Sequence, residues 1–144
     1  MPRLSLSNQV TDLPIVKDDV CNFTWDTDHE NWFGSFANVS SVSNRLNVEA
    51  TATRGKAIMQ RYTIPGVTYT YSVHCITPPD SEAYLYIGNT VFGTEYVNTT
   101  IATGQTTTLS GAFKATAGDI WLTLTTVVNT KVIIWDNFVI KEED

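Results

Sequence analysis

The sequence has few of the residues that build metal and redox centres. Its two cysteines, Cys21 and Cys75, lie far apart, and so do its two histidines, His29 and His74. Zinc and redox sites usually need closely spaced ligands, such as the two cysteines of a CxxC motif. We therefore expect no such centre, and we expect buried free thiols, with a disulfide as the alternative.

Positive charge and long apolar runs are also scarce. The 144 residues include 9 Lys and Arg against 15 Asp and Glu, so the formal net charge is −6. Scattered basic residues on an acidic chain argue against a nucleic-acid partner. No apolar run reaches the roughly 18 residues of a membrane span, and the first residues lack the apolar stretch of a secretory signal. We expect a chain that is used in a cytoplasm or released without a signal.

Threonine and turn residues are abundant instead. The chain has 22 Thr and 9 Ser, and β-branched Thr suits the exposed faces of strands. Short β-rich runs alternate with turn formers, whereas no helical apolar period persists. The sequence predicts an all-β fold, a two-sheet antiparallel β-sandwich of eight or nine strands. The predicted strands are 20–24, 45–51, 57–64, 68–76, 82–87, 94–101, 106–115, 120–127 and 131–141.

Alternation along these strands predicts which side chains face the core. In strand 120–127, Leu122 and Leu124 face inward and Trp121 faces outward among threonines. In strand 82–87, Tyr84 and Tyr86 lie on the outer side. The predicted core includes Leu46, Val48, Ile58, Tyr69, Tyr71, Val73, Leu85, Phe113, Leu122, Leu124 and Ile133.

Three segments in order resemble the jelly-roll carbohydrate-binding modules of the galactose-binding-like superfamily, which also recur in bacteriophage virion proteins. The opening segment is Asn22-Phe23 followed by Trp32, although it lacks the Gly and acidic residue of the family's start. The middle segment is Pro65-Gly66 followed by a Thr-Tyr strand, 68–72. The closing segment is 132–140, in which Asp136-Asn137 interrupts an apolar run. The resemblance covers 20–141 and implies the same jelly-roll sandwich.

Many such modules hold a structural calcium ion. The resemblance places Asp136 among its ligands, and Asp26, Asp28 or Glu30 near the first strand could supply another. Calcium needs six to eight oxygen ligands, and the sequence has no EF-hand or other dense acidic loop. The alternative is that Asp136 and Asn137 bond backbone amides where the terminal strands meet.

The sequence does not favour an enzyme. Its carboxylates lie mainly in turns and near the ends of the chain, whereas glycoside hydrolysis needs two that face one cleft. His74 and Cys75 are neighbours, so alternation puts them on opposite faces of a strand. We expect no catalysis.

Carbohydrate binding is one function that the sequence supports. Sugar rings stack their apolar faces on exposed aromatic side chains, and Trp121, Tyr84 and Tyr86 are the candidates. The alternative is that a strand, loop or subunit covers these aromatic side chains. Such a domain would be a carbohydrate-binding module or an adhesin for a cell-surface polysaccharide.

The main prediction is a bacteriophage virion protein that decorates the capsid or belongs to the tail. An initiating Met without a secretion signal fits a protein that is assembled in the host cytoplasm and freed by lysis. Residues 1–19 would be an attachment arm, and 20–144 would be the sandwich. We expect capsid or tail partners and a homo-oligomer, a trimer by preference.

Overall fold

The computed structural model describes residues 21–23 and 32–143, and every regular element in them is a strand. None of these residues forms a helix that could cross a membrane. The strands are β1 (Cys21–Phe23), β2 (Phe33–Ser35), β3 (Ala37–Val42), β4 (Arg45–Ala50), β5 (Gly55–Tyr62), β6 (Thr68–Ile76), β7 (Ala83–Gly88), β8 (Val97–Ile101), β9 (Thr106–Lys114), β10 (Asp119–Thr126) and β11 (Val132–Glu142).

These strands form two sheets that pack face to face. The order in the five-stranded sheet is β2-β5-β10-β7-β8. In the six-stranded sheet the order is β3-β4-β11-β6-β9, and β1 also pairs with β11. Every pairing is antiparallel. The predicted all-β sandwich of two antiparallel sheets is confirmed.

The number of strands exceeds the predicted eight or nine, because eleven are present in the described residues. The two that were not predicted, β2 and β3, lie at sheet edges and contain Gly, Ser and Asn, which have low β propensity. Only Phe36, with a positive φ of 52°, separates them. The chain therefore passes from one sheet to the other at a single residue, which a sequence pattern does not reveal.

The core lies between the sheets and contains nearly all of the predicted residues. Two of them differ from the prediction. Tyr71 is only partly buried against the core cluster. Ile58 is buried, but it lies on the outer side of its sheet, because its register partner is Thr123 and the inward Ala57 pairs with Leu124.

Cys75 is a free, fully buried thiol in this core, as predicted. Burial raises its pKa to about 12, so the thiol stays protonated at neutral pH. The neighbouring His74 lies on the opposite side of β6, where its Nδ1 is 3.1 Å from the Thr108 hydroxyl.

The segments that carried the family resemblance meet in space. Phe23 and Trp32 of the opening segment make an edge contact with ring centroids 5.2 Å apart. Phe138 of the closing segment stacks on Trp32 at 6.1 Å. In the middle segment, the Ile64 amide donates a hydrogen bond to the buried Tyr69 hydroxyl across the turn at Gly66, which has a φ of 90°. Aromatic packing thus joins the first and last strands.

Candidate functional site

The outer side of the five-stranded sheet carries aromatic and hydroxyl side chains in rows that run across the strands. The register puts Ser35, Lys56, Thr125, Tyr84 and Thr100 in one row. The next row, about 7 Å along the strands, contains Phe33, Ile58, Thr123, Tyr86 and Asn98. The third row contains Gln60, Trp121 and Gly88. We call this surface the aromatic face.

A groove of about 440 Å³ lies on the aromatic face. Trp121 is half-buried in it, while Phe33 and Phe92 remain exposed at 67% and 42% of their surface. The residues that line the groove are uncharged, and they are Phe33, Ser35, Ile58, Met59, Gln60, Val91, Phe92 and Trp121. Ligand sites of this kind combine apolar walls with a few polar groups that orient the ligand. We call it the aromatic groove.

One wall of the groove comes from the loop between β7 and β8, which carries Val91 and Phe92. Glu95 accepts a hydrogen bond of 2.9 Å from the backbone amide of Asn89, so its side chain ties the two ends of the loop. A Cβ atom on Gly88 or on Gly93 would collide with the Glu95 carboxylate. Glycine at both positions therefore lets the carboxylate pack beneath the loop.

The predicted strand 94–101 was wrong at its start, because the strand begins three residues later, at Val97. Thr94 and Glu95 instead belong to the turn that presents Phe92 with a positive φ of 62°. The β-branched Thr94 favours a strand locally, but the hydrogen bond from Asn89 to Glu95 closes a loop.

Polar groups flank Trp121. Gln60, its register partner, donates a 2.7 Å hydrogen bond from Nε2 to the Asp119 carboxylate. This bond orients the Gln60 amide at one end of the groove. Further along β10, the hydroxyls of Thr123 and Thr125 are fully buried and have no hydrogen-bond partner.

The structure places all three predicted sugar-binding aromatics on this one face. Trp121 lines the groove. Tyr84 and Tyr86 form a stacked pair beside it, with ring centroids 5.6 Å apart and planes inclined by 19°. Burial and the neighbouring Tyr84 raise the pKa of Tyr86. Their role in binding a sugar stays a prediction.

Phe33 and Phe92 line the groove and were not predicted. Phe33 lies on a three-residue strand beside Gly34, so it shows too little alternation to be assigned to a face. Phe92 lies in a turn segment between Val91 and Gly93. Two large apolar residues inside a turn are the signal that could have indicated an exposed binding loop.

The predicted calcium site stays a prediction, because only Asp136 of its proposed ligands lies in the described residues. The Asp136 carboxylate accepts a 2.9 Å hydrogen bond from the Asn137 amide and lies 3.6 Å from the Arg45 guanidinium. Within residues 21–23 and 32–143, no group of three or more His, Cys, Asp or Glu could hold a metal ion. Asp26, Asp28 and Glu30, the other predicted ligands, lie outside the described residues. The hydrogen bond from Asn137 to Asp136 lies at the β11 bulge.

Comparison with solved structures identifies the architecture. The N-terminal CBM22-1–GH10 modules of Clostridium thermocellum endo-1,4-β-D-xylanase 10B, complexed with xylohexaose, match with a TM-score of 0.69 and 19% identity. The N-terminal cellulose-binding domain of Cellulomonas fimi β-1,4-glucanase C matches with a TM-score of 0.69 and 16% identity. This chain has the jelly-roll fold of carbohydrate-binding modules.

The extent of these matches differs between the solved structures. The jelly-roll alignment covers 90% of this chain and 29% of the xylanase chain, but 91% and 97% with the cellulose-binding domain. TmCBM61 in complex with β-1,4-galactotriose matches with a TM-score of 0.64 and 13% identity over 89% of this chain and all of the module. The sequence matches no protein-family model and no curated protein. At these identities the likeness shows the fold alone.

Proposed function

We propose that this domain is a non-catalytic glycan-binding module whose ligand lies in the aromatic groove. The observation that carries the proposal is the grouping of Trp121, Phe33 and Phe92 around one groove with hydrogen-bonding side chains beside them. Sugar rings present apolar C–H faces that stack on aromatic rings, and their hydroxyls bond to amide and hydroxyl groups. Both kinds of partner are present here.

Two further observations support this function. The matched structures include modules described as cellulose-binding or as complexed with xylohexaose or galactotriose. Among the described residues, those that line the groove include no carboxylate, whereas glycoside hydrolysis requires two. We therefore propose binding without catalysis.

The virion role stays a prediction, together with its capsid or tail partners, the trimer and the attachment arm. Residues 1–19 lie outside the described residues. In that setting, the same groove would recognise a polysaccharide of the host surface. Mass spectrometry of purified virions tests the virion role independently of sugar binding.

Affinity electrophoresis and titration calorimetry with a panel of plant and bacterial polysaccharides test the glycan proposal. Phe33 and Phe36 form a matched pair, because they are 67% and 69% exposed and lie three residues apart, yet only Phe33 lines the groove. We expect Phe33→Ala and Trp121→Ala to weaken binding by about 30-fold each, which corresponds to about 2 kcal/mol for an aromatic anchor.

Phe36→Ala is the control and should leave the affinity unchanged. Equal losses in the Phe33 and Phe36 variants would place the ligand elsewhere. No retention of the wild-type protein on any polysaccharide would refute the proposed function.

A further inference from the structure

The row of residues next to the groove carries positive charge. Arg54 directly precedes β5 and Lys56 lies near its start, and the pairing of β10 with both β5 and β7 puts Lys56 in line with Thr125 and Tyr84. The Arg54 guanidinium carbon is 5.8 Å from the centre of the Tyr84 ring. Lys56 Nζ lies 5.3 Å from the centre of the Phe92 ring, at the wall of the groove. Two cations thus border the aromatic face.

Neither cation has an acidic partner among residues 21–23 and 32–143. Lys56 Nζ donates a 2.8 Å hydrogen bond to the Arg54 carbonyl oxygen. The Arg54 guanidinium lies over the ring of Tyr84. By contrast, Arg45 pairs with Asp136, and Lys131 lies 2.6 Å from the carboxylate of Asp80. Partial burial and the neighbouring Arg54 lower the pKa of Lys56. Within the part of the chain that the structure describes, two like charges thus lie near each other without an acidic partner, although the net charge of the chain is −6.

The same row also contains an unused hydrogen-bonding group. The hydroxyl of Thr125, between Lys56 and Tyr84 in register, is buried and has no partner, and so is that of Thr123 in the next row. A buried hydroxyl without a partner is unfavourable, because it has lost its bonds to water. Because Thr125 has no exposed surface in the free protein, a ligand oxygen would reach its hydroxyl only when the neighbouring Lys56 side chain moves outward to meet the ligand.

We propose that Arg54, Lys56 and Thr125 form a subsite for the carboxylate of an acidic sugar, such as a uronic acid, in a polysaccharide bound at the aromatic groove. This inference rests on the proposed function and names its ligand class. Arg binds a carboxylate through two parallel hydrogen bonds, and Lys adds a point charge. Aromatic stacking in the groove would hold the neutral sugar rings, while this subsite would select a charged residue of the same chain.

The test compares acidic polysaccharides with their own methyl esters, which keep the backbone and remove the charge. The probes are polygalacturonate, alginate and hyaluronate, each free and fully methyl-esterified, measured by affinity electrophoresis at about 0.1 M salt. We expect the wild-type protein to bind at least one polyuronate about tenfold more tightly than its ester. The double variant Arg54→Gln/Lys56→Gln should bind the two forms equally.

The matched control is Lys114→Gln/Lys141→Gln, which removes two exposed positive charges from the outer side of the other sheet. It changes the net charge by the same amount and should keep the tenfold preference. A second variant, Thr125→Val, should reduce the preference without a loss of thermal stability, because it removes a hydroxyl that has no partner in the free protein.

Each other outcome overturns the subsite. Equal wild-type affinity for acid and ester, no binding to any polyuronate, or a preference that survives in Arg54→Gln/Lys56→Gln contradicts it. If Lys114→Gln/Lys141→Gln lost the preference for the acid form equally, net charge and not the subsite would explain that preference. Retention on a neutral polysaccharide that depends on Phe33 and Trp121 would keep the proposed function while the subsite fails, whereas no retention on any gel would refute both.

Discussion

The two outer faces of the sandwich differ although the strands behind them are built alike. The aromatic face presents rings from three of its strands, those of Phe33, Trp121, Tyr84 and Tyr86. The outer face of the six-stranded sheet carries mainly hydroxyl side chains on β6 and β9, which are Thr68, Thr70, Ser72, Thr106, Thr108 and Ser110, together with His74, Ile76, Ala112 and Lys114. We call it the hydroxyl face, and none of its described outward positions on the strands is aromatic.

The difference between the two faces shows whether folding requires outward aromatic side chains. Both faces surround the same buried core, and the hydroxyl face shows that a sheet of this sandwich needs no outward aromatic residue. An exposed Phe at 67% gains little from burial. We therefore expect the exposed rings of this face to serve the proposed ligand site and not the stability of the fold.

The largest expected effect comes from the inner side of β10. Leu122 is fully buried in the shared core, whereas its neighbour Trp121 points to the aromatic face. Leu122→Ala should lower the free energy of unfolding by roughly 2 to 5 kcal/mol, because it removes buried methyl groups and leaves a cavity. Urea denaturation measures this, with Trp121→Ala as the comparison that should unfold close to wild type.

A loss below about 0.5 kcal/mol for Leu122→Ala would contradict its place in the core. A larger loss for Trp121→Ala than for Leu122→Ala would show that the aromatic face stabilises the fold. In that case the contrast between the two faces would not indicate a ligand.

Much of the contrast between the faces could be predicted from the sequence, because it follows from alternation. In β7 and β10 the period of two correctly placed Leu85, Leu122 and Leu124 inside and Trp121 outside. The groove could not be predicted, because part of its lining lies on elements too short or too irregular to show a period. Phe33 is on a three-residue edge strand, and Phe92 is in a distant loop that folding brings to the same groove.

The next effect concerns the loop that distinguishes the aromatic face. Glu95→Ala removes the acceptor for the Asn89 amide and should loosen the wall that carries Phe92. We expect glycan affinity to fall about fivefold, which corresponds to about 1 kcal/mol for one hydrogen bond. Titration calorimetry with the polysaccharide bound by the wild type measures the change.

Glu95→Gln should stay near the wild-type affinity, because its side-chain carbonyl oxygen still accepts the bond. Glu49→Ala is the matched control, since Glu49 accepts a 3.3 Å hydrogen bond from Asn38 on the hydroxyl face. A similar loss of affinity in Glu49→Ala would mean that negative charge, and not the loop, controls binding. An unchanged affinity in Glu95→Ala would show that the loop keeps its shape without the carboxylate.

The smallest expected effect lies on the hydroxyl face. His74 and Thr108 are register partners whose side chains are 3.1 Å apart, and Thr108 is exposed. Thr108→Val keeps the β-branched shape and removes this one contact, so we expect the free energy of unfolding to change by less than about 0.5 kcal/mol. Glycan affinity should not change, because no residue of this face lines the groove. Since both sheets share one core, a fall in affinity at constant stability could not arise from partial unfolding. It would mean that the hydroxyl face itself contacts the polysaccharide, and that the ligand extends around the sandwich beyond the aromatic groove.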